Sequence, residues 1–153
     1  MEPSPFLRIA GHAIRRAHQA HDAIFARETE GFDITSPQHA ALTAIADHPG
    51  IEPKLLGKIV GYDGATLAGL IARLEGKKLV RRSVGRHDRR TRQLTLTPKG
   101  TALMARVEER ASRVHDVLLA PLTRQEREVF MALLQRVVVN AGFDVEAGYS
   151  EIA

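Results

Sequence analysis

The chain has 153 residues, 44% of them hydrophobic and 26% charged, with a formal net charge of +4, a balance that suits one domain with its own core and excludes a disordered polyelectrolyte. It contains no cysteine, which excludes a disulfide framework, thiolate metal ligands and a thiol redox switch. No apolar run approaches the length of a membrane span, and Met1-Glu2-Pro3-Ser4-Pro5 is not a basic segment leading into an apolar one, so a cytoplasmic protein without membrane contact is expected.

Phe6, Ile9, Ala10, Ala13, Ile14, Ala17, Ala20, Ile24 and Phe25 recur at three- and four-residue spacing, which predicts one long amphipathic helix from Phe6 to about Glu30, closed by Gly31. Ser36-Pro37 reads as an N-cap hydroxyl followed by a proline in the first turn, opening a second, shorter helix that runs to His48-Pro49-Gly50. Glu52-Pro53 opens a third helix through Leu55, Leu56, Ile59 and Val60, stopped by Gly61. Asp63 caps a fourth whose buried stripe is Leu67, Leu70, Ile71 and Leu74. Two short runs then suit paired strands, Leu79 to Val84 and Thr91 to Thr97, with the turn segment Gly85-Arg86-His87-Asp88-Arg89-Arg90 between them. Thr97-Pro98 starts a long fifth helix with Leu103, Val107, Ala111, Val114 and Leu118 on one face, ended by Pro121. Thr123-Arg124-Gln125-Glu126 is a capping box for a sixth helix through Val129, Phe130, Leu133, Leu134, Val137 and Val138. The expected fold is mainly α with a small β-hairpin, and no internal repeat or low-complexity linker divides it.

Charge is concentrated in the middle of this order. Between Arg73 and Lys99 stand ten of the chain's 22 Lys and Arg residues against two acids, Glu75 and Asp88, whereas the last fourteen residues carry three acids and no base. Arginines at the tip of a projecting hairpin suit a polyanion, because nothing there hinders approach to phosphates. Residues 53–60 and 63–76 form two short helices joined by a glycine-containing turn, the pattern of a helix-turn-helix. The start of the second, Asp63, Gly64, Ala65, Thr66, Ala68 and Gly69, is short-chained, so its backbone can approach closely within a major groove about 12 Å wide. With the basic hairpin directly after it, the arrangement is a winged helix-turn-helix, in which the helix reads base edges and the wing grips backbone or minor groove. The competing reading is a plain helical hairpin in a core.

The run from Asp63 through Leu67-Ala68-Gly69-Leu70-Ile71-Ala72-Arg73-Leu74-Glu75 to Arg82, the wing Asp88-Arg89-Arg90 and the Leu96-Thr97-Pro98-Lys99-Gly100 entry to the fifth helix resemble the MarR family of bacterial transcriptional regulators. The resemblance covers the chain from the first helix to the sixth. It implies a winged helix-turn-helix over residues 34–98, flanked by dimerisation helices over 6–30 and 98–142, in a homodimer that binds a palindromic operator and is released by small, often phenolic or aromatic, ligands. It also implies roles for single residues. Arg89 and Arg90, with Arg86 as a helper, map to wing arginines that reach the minor groove and phosphates, and Asp88 to the aspartate that orients them, unless Asp88 is simply a turn residue. Thr66 and Arg73 fall on the groove-facing helix. Gly69 departs from the pattern, since a basic residue is common there.

A dimer also has a physical warrant, because the apolar stripes of the first, fifth and sixth helices exceed what one small winged domain can bury. A twofold dimer presents its recognition helices roughly 34 Å apart, matching an inverted repeat in double-stranded DNA. Family ligand pockets lie where the first, second and fifth helices meet the winged domain, which makes Arg15, Arg16, His18 and His39 candidates for holding an anionic effector, since guanidinium forks match carboxylates. A solvated basic face or a hydrogen-bonded core histidine explains each of them equally well. The string Arg15-Arg16-Ala17-His18-Gln19-Ala20-His21 resembles family members that control aromatic-acid catabolism, some answering to CoA thioesters. His18 and His21 have a spacing that can chelate zinc, but the sequence dictates no third ligand and has no His-Glu-x-x-His, so no metal is assigned. There is no phosphate-binding glycine loop or nucleophile elbow, no cofactor is expected, and the chain does not read as an enzyme. The alternative function is a winged-helix adaptor that binds protein or nucleic acid non-specifically without a ligand response.

Overall fold

The computed structural model describes residues 4–85 and 90–142. Six α-helices and a two-stranded antiparallel hairpin follow in the expected order: α1 (Ala10–Glu28), α2 (Ser36–Asp47), α3 (Pro53–Val60), α4 (Gly64–Gly76), β1 (Val80–Val84), β2 (Arg92–Leu96), α5 (Pro98–Leu118) and α6 (Arg124–Asn140). Two starts differ from expectation. Instead of one helix from Phe6, the chain makes a 3-10 turn over Pro5–Arg8 and leaves helical geometry at Ile9 (φ −92°, ψ 111°) before α1 begins; β-branched Ile9 and nearby Gly11 are both weak helix formers. The cap of α2 is Thr35 rather than Ser36. The Gln38 amide donates to the Thr35 hydroxyl and the Thr35 amide to the Gln38 side chain, closing a capping box that places Ser36 and Pro37 in the first turn. Likewise, α5 ends at Leu118, ahead of Pro121.

The helix-turn-helix is set by glycine chemistry. Gly61 takes the left-handed conformation (φ 74°), and its amide and that of Tyr62 both return to the Gly57 carbonyl. A side chain at Gly57 would press within 3.2 Å of both Leu67 and the Tyr62 carbonyl, so a bare residue lets α3 and α4 close up. The two helices meet at 106°, inside the range for this motif.

The end of α4 aims the wing. Leu79 donates to the Leu74 carbonyl (3.0 Å) and Lys78 to that of Glu75 (2.8 Å), a Schellman motif whose left-handed position is filled by Lys78 (φ 59°) where glycine is usual. This turn buries Leu79 and Val80 at the base of the hairpin, where Val80 pairs with Leu96 and the register runs out to Val84 opposite Arg92. A third backbone segment joins them. Ile51, between α2 and α3, accepts from the Leu94 amide (2.9 Å), while the Gly50 amide donates to the Leu94 carbonyl (2.8 Å), so Leu94 is bonded on both sides. The core gathers Leu42 and Ile45 of α2, Leu56 of α3, Ile71 and Leu74 of α4, Leu94 of β2 and Val107 and Val114 of α5.

α5 begins by touching the wing base. The Thr97 hydroxyl accepts from the Gly100 amide as the N-cap and donates to the Lys78 carbonyl (2.6 Å), while the Thr97 amide donates to the Leu79 carbonyl (3.0 Å). Behind the winged unit α1 lies along α5. The last helix is different: α6 buries none of its residues and leaves Val129, Phe130, Met131, Leu133, Val137 and Val139 exposed. No single helix among the described residues is long and apolar enough to cross a membrane. α3 and α4 qualify only as a sharply bent pair, and the apolar side of α4 is already in the core.

Candidate nucleic-acid interface

α4 is divided cleanly along its length. Leu67, Leu70, Ile71 and Leu74 are buried, whereas Asp63, Gly64, Ala65, Thr66, Ala68, Gly69 and Arg73 are all exposed. The structure therefore brings every expected groove-facing residue to one solvent-open surface. Asp63 fixes its leading end. One carboxylate oxygen accepts from the Thr66 amide (2.8 Å) and the other from the Thr66 hydroxyl (3.1 Å), and these bonds hold the Asp63 carboxyl below its ordinary pKa. Thr66 is thus oriented by the cap, with its hydroxyl proton committed to Asp63. Around Gly64 and Gly69 there is open space among the described residues, so the helix backbone is accessible there.

Several basic residues of this region bind other parts of the chain. Arg82 pairs with Glu75 of α4 (3.1 Å) and Arg81 donates to Thr95 across the hairpin (3.0 Å). Lys77 donates to the Asp33 carbonyl (2.6 Å) and to Gln38 (3.2 Å) and lies 3.2 Å from the Asp33 carboxylate; Lys99 donates to the Lys77 carbonyl (2.9 Å). Those four lock the hairpin and the end of α4. Arg73, Arg90 and Arg92 are exposed. Arg86, Asp88 and Arg89 lie outside the described residues.

A second feature sits behind α4. α1, α2 and α5 line a half-open cavity of about 330 Å3, bounded among others by His21 and Phe25 of α1, His39 and Thr43 of α2, and Glu108 and His115 of α5. The His39 ring lies 5.4 Å from that of Phe25, and its Nε2 is buried without a hydrogen-bond partner among the described residues. Burial pulls the His39 pKa below its ordinary value and nearby His115 adds to this, while Glu108 opposes it. Of the residues expected to hold a ligand, only His39 lines the cavity. Arg15, Arg16 and His18 are exposed outside its lining, with Arg16 hydrogen-bonded to Gln19 and His18 paired with Asp22. Sequence reasoning missed His115 and Glu108, although their seven-residue separation on α5 places them on one face.

The MarR family model matches residues 32–91, from before α2 into the hairpin. Transcriptional regulator HosA of Escherichia coli is 36% identical over 129 residues, covering 84% of this chain and 94% of HosA. Among solved structures, the PcaV transcriptional regulator of Streptomyces coelicolor in complex with its natural ligand superposes with a TM-score of 0.83 at 33% identity, covering 92% of this chain and 99% of PcaV. BpsR of Bordetella bronchiseptica, whose DNA binding is regulated by 6-hydroxynicotinic acid, superposes with a TM-score of 0.81 at 32% identity, covering 89% and 97%. Divided recognition helix, basic hairpin and these likenesses agree: the chain belongs to the MarR family of winged-helix, DNA-binding transcriptional regulators.

Proposed function

We propose that the chain acts in the cytoplasm as a homodimeric repressor of an inverted-repeat operator in double-stranded DNA, released when a small aromatic acid enters the α1–α2–α5 cavity. The observation that carries the DNA reading is the division of α4, with seven short or basic residues exposed on one side and four apolar ones buried on the other. In this reading the exposed side enters the major groove, Thr66 and the small residues around it meet base edges, and Arg73 meets phosphate. Arg89 and Arg90, helped by Arg86 and oriented by Asp88, grip the backbone or minor groove. Two copies joined through α1, α5 and α6 would cover the exposed apolar side of α6 and set the half-site spacing.

The ligand reading rests on the cavity. Its volume suits a single-ring acid, Phe25 offers an aromatic face, and the buried Nε2 of His39, without a hydrogen-bond partner among the described residues, would accept a polar one. A CoA thioester would have to leave its nucleotide arm outside. Release follows from what α2 connects: His39 faces the cavity, while its neighbour Gln38 accepts from Lys77 at the end of α4. A ligand that draws His39 inward moves the helix to which the recognition helix is tied, and it shifts the equilibrium only as far as it prefers that moved state.

Selecting bound sequences from random duplexes, with and without a panel of aromatic acids and their CoA thioesters, tests the whole reading. The expected outcome is one inverted repeat, bound in a salt-sensitive manner and lost with at least one acid. Equal affinity for scrambled DNA would instead make the chain a non-specific winged-helix adaptor.

A further inference from the structure

On α1, beside the cavity, one turn of helix carries three side chains able to bind a metal. His18, His21 and Asp22 stand at positions i, i+3 and i+4, which a helix places on a single face. Each offers one donor atom, and the three lie within 4.8 Å of one another. His18 Nε2 is 3.4 Å from one Asp22 carboxylate oxygen and His21 Nδ1 is 3.3 Å from the other. Around a tetrahedral Zn2+ with bonds of about 2.0–2.1 Å, neighbouring donors stand roughly 3.3–3.4 Å apart. With a single Asp22 oxygen as the donor, one of the three edges therefore already has the length that coordination requires, and the others lie within 4.8 Å. The two imidazole rings are stacked within 11° of parallel, and the His18, His21 and Asp22 side chains are 68%, 30% and 45% exposed, so an ion can enter from solvent and keep a fourth position open.

We propose that His18, His21 and Asp22 form a binding site for one divalent transition-metal ion of the Zn2+ class. Two imidazoles with one carboxylate favour Zn2+, Co2+ or Ni2+ over Mg2+ and Ca2+, which take oxygen ligands. The two histidines alone are a common spacing without a third donor. Asp22 supplies that donor from the next position along the same turn. His21 also lines the cavity.

The same spacings describe a hydrogen-bonded histidine–aspartate triad, and binding measurements separate the two. The full-length, tag-free chain, stripped of metal by chelation, is titrated with ZnCl2 by calorimetry and with CoCl2 by visible absorption. The expected result is saturable binding of one ion per chain. His18→Ala and Asp22→Asn, neither of which alters the cavity lining, should each weaken it by at least the roughly 10–100-fold that loss of a mere supporting contact costs at a metal site. Circular dichroism verifies that both variants remain folded. Absence of saturable binding by the wild-type chain would reduce the cluster to a hydrogen-bonded triad and overturn the proposal. Unchanged affinity in both variants would overturn it as well, by placing the ion on other histidines. The result does not depend on operator binding.

Discussion

Gly100→Ala should destabilise the protein far more than a one-carbon change in a helix suggests. Gly100 is buried in the first turn of α5, and a Cβ built there would lie 2.1 Å from the Leu79 carbonyl oxygen, where ordinary contact begins near 3.4 Å. That oxygen cannot step aside, because it accepts from the Thr97 amide while the adjoining Lys78 carbonyl accepts from the Thr97 hydroxyl. Relief requires α5 to back away from the wing base, loosening both bonds. Overpacking costs about 1–3 kcal/mol, each loosened hydrogen bond about 1 kcal/mol, and alanine's better helix propensity returns about 1 kcal/mol. The net loss is about 2–4 kcal/mol, which lowers the urea midpoint by about 1–2 M at ordinary denaturant sensitivity. Unfolding followed by far-UV circular dichroism measures it, with Gly69→Ala as the control. Gly69 has open space around it, so alanine there should be neutral or stabilising by up to about 1 kcal/mol. A Gly100→Ala midpoint equal to wild type would refute the argument from close approach.

Arg90→Ala should weaken binding evenly across DNA sequences and reduce the salt slope by about one unit, whereas Thr66→Val should change the preferred sequence; filter binding over a salt series and sequence selection read these two effects. Because the folded chain holds His39 below its ordinary pKa of 6.5, the unfolded chain binds that proton more readily; the contribution is complete above about pH 6.5 and is lost as pH falls through the lowered folded value. His39→Gln should flatten the fall in urea midpoint between neutral and mildly acidic pH, and an unchanged slope would count against it. Phe130→Asp on α6 should raise the dimer dissociation constant by about 10–100-fold in analytical ultracentrifugation. Lys78→Gly should stabilise the chain by about 1 kcal/mol in the same urea assay, by removing a side chain from a left-handed position.

Much of the architecture was legible because local chemistry and tertiary need agree along this chain. Thr97-Pro98 and Thr123 through Glu126 cap α5 and α6 as their spelling indicates, and Gly61 breaks the chain where the motif requires it. The cap of α2 was misplaced by one residue because Ser36-Pro37 and Thr35 with Gln38 are both credible starts, and the reciprocal side-chain bond of Gln38 decides between them. Ile51 carries no strand signal of its own, since a single bridged residue has no periodicity to display. The interface was easier to read than the cavity. Residues 63–73 are contiguous, whereas His21, His39 and His115 come from three helices whose relative placement no spacing records. Gly100 shows the same limit: the motif around it is plain in the sequence, but the reason for glycine lies 21 positions away at Leu79.

The bare apolar side of α6 has a consequence beyond symmetry. A seventeen-residue helix with no buried residue of its own draws little stability from one chain, since helices of this length are marginal in water without packing. In the proposed homodimer its order would be coupled to encounter with a second copy, and the DNA-competent species would obey mass action. Operator occupancy at low expression would rise with the square of the protein's concentration, so a modest change in synthesis or turnover would act as a threshold. For the proposed repressor, the amount of protein and not the effector alone would then decide when its operator is occupied.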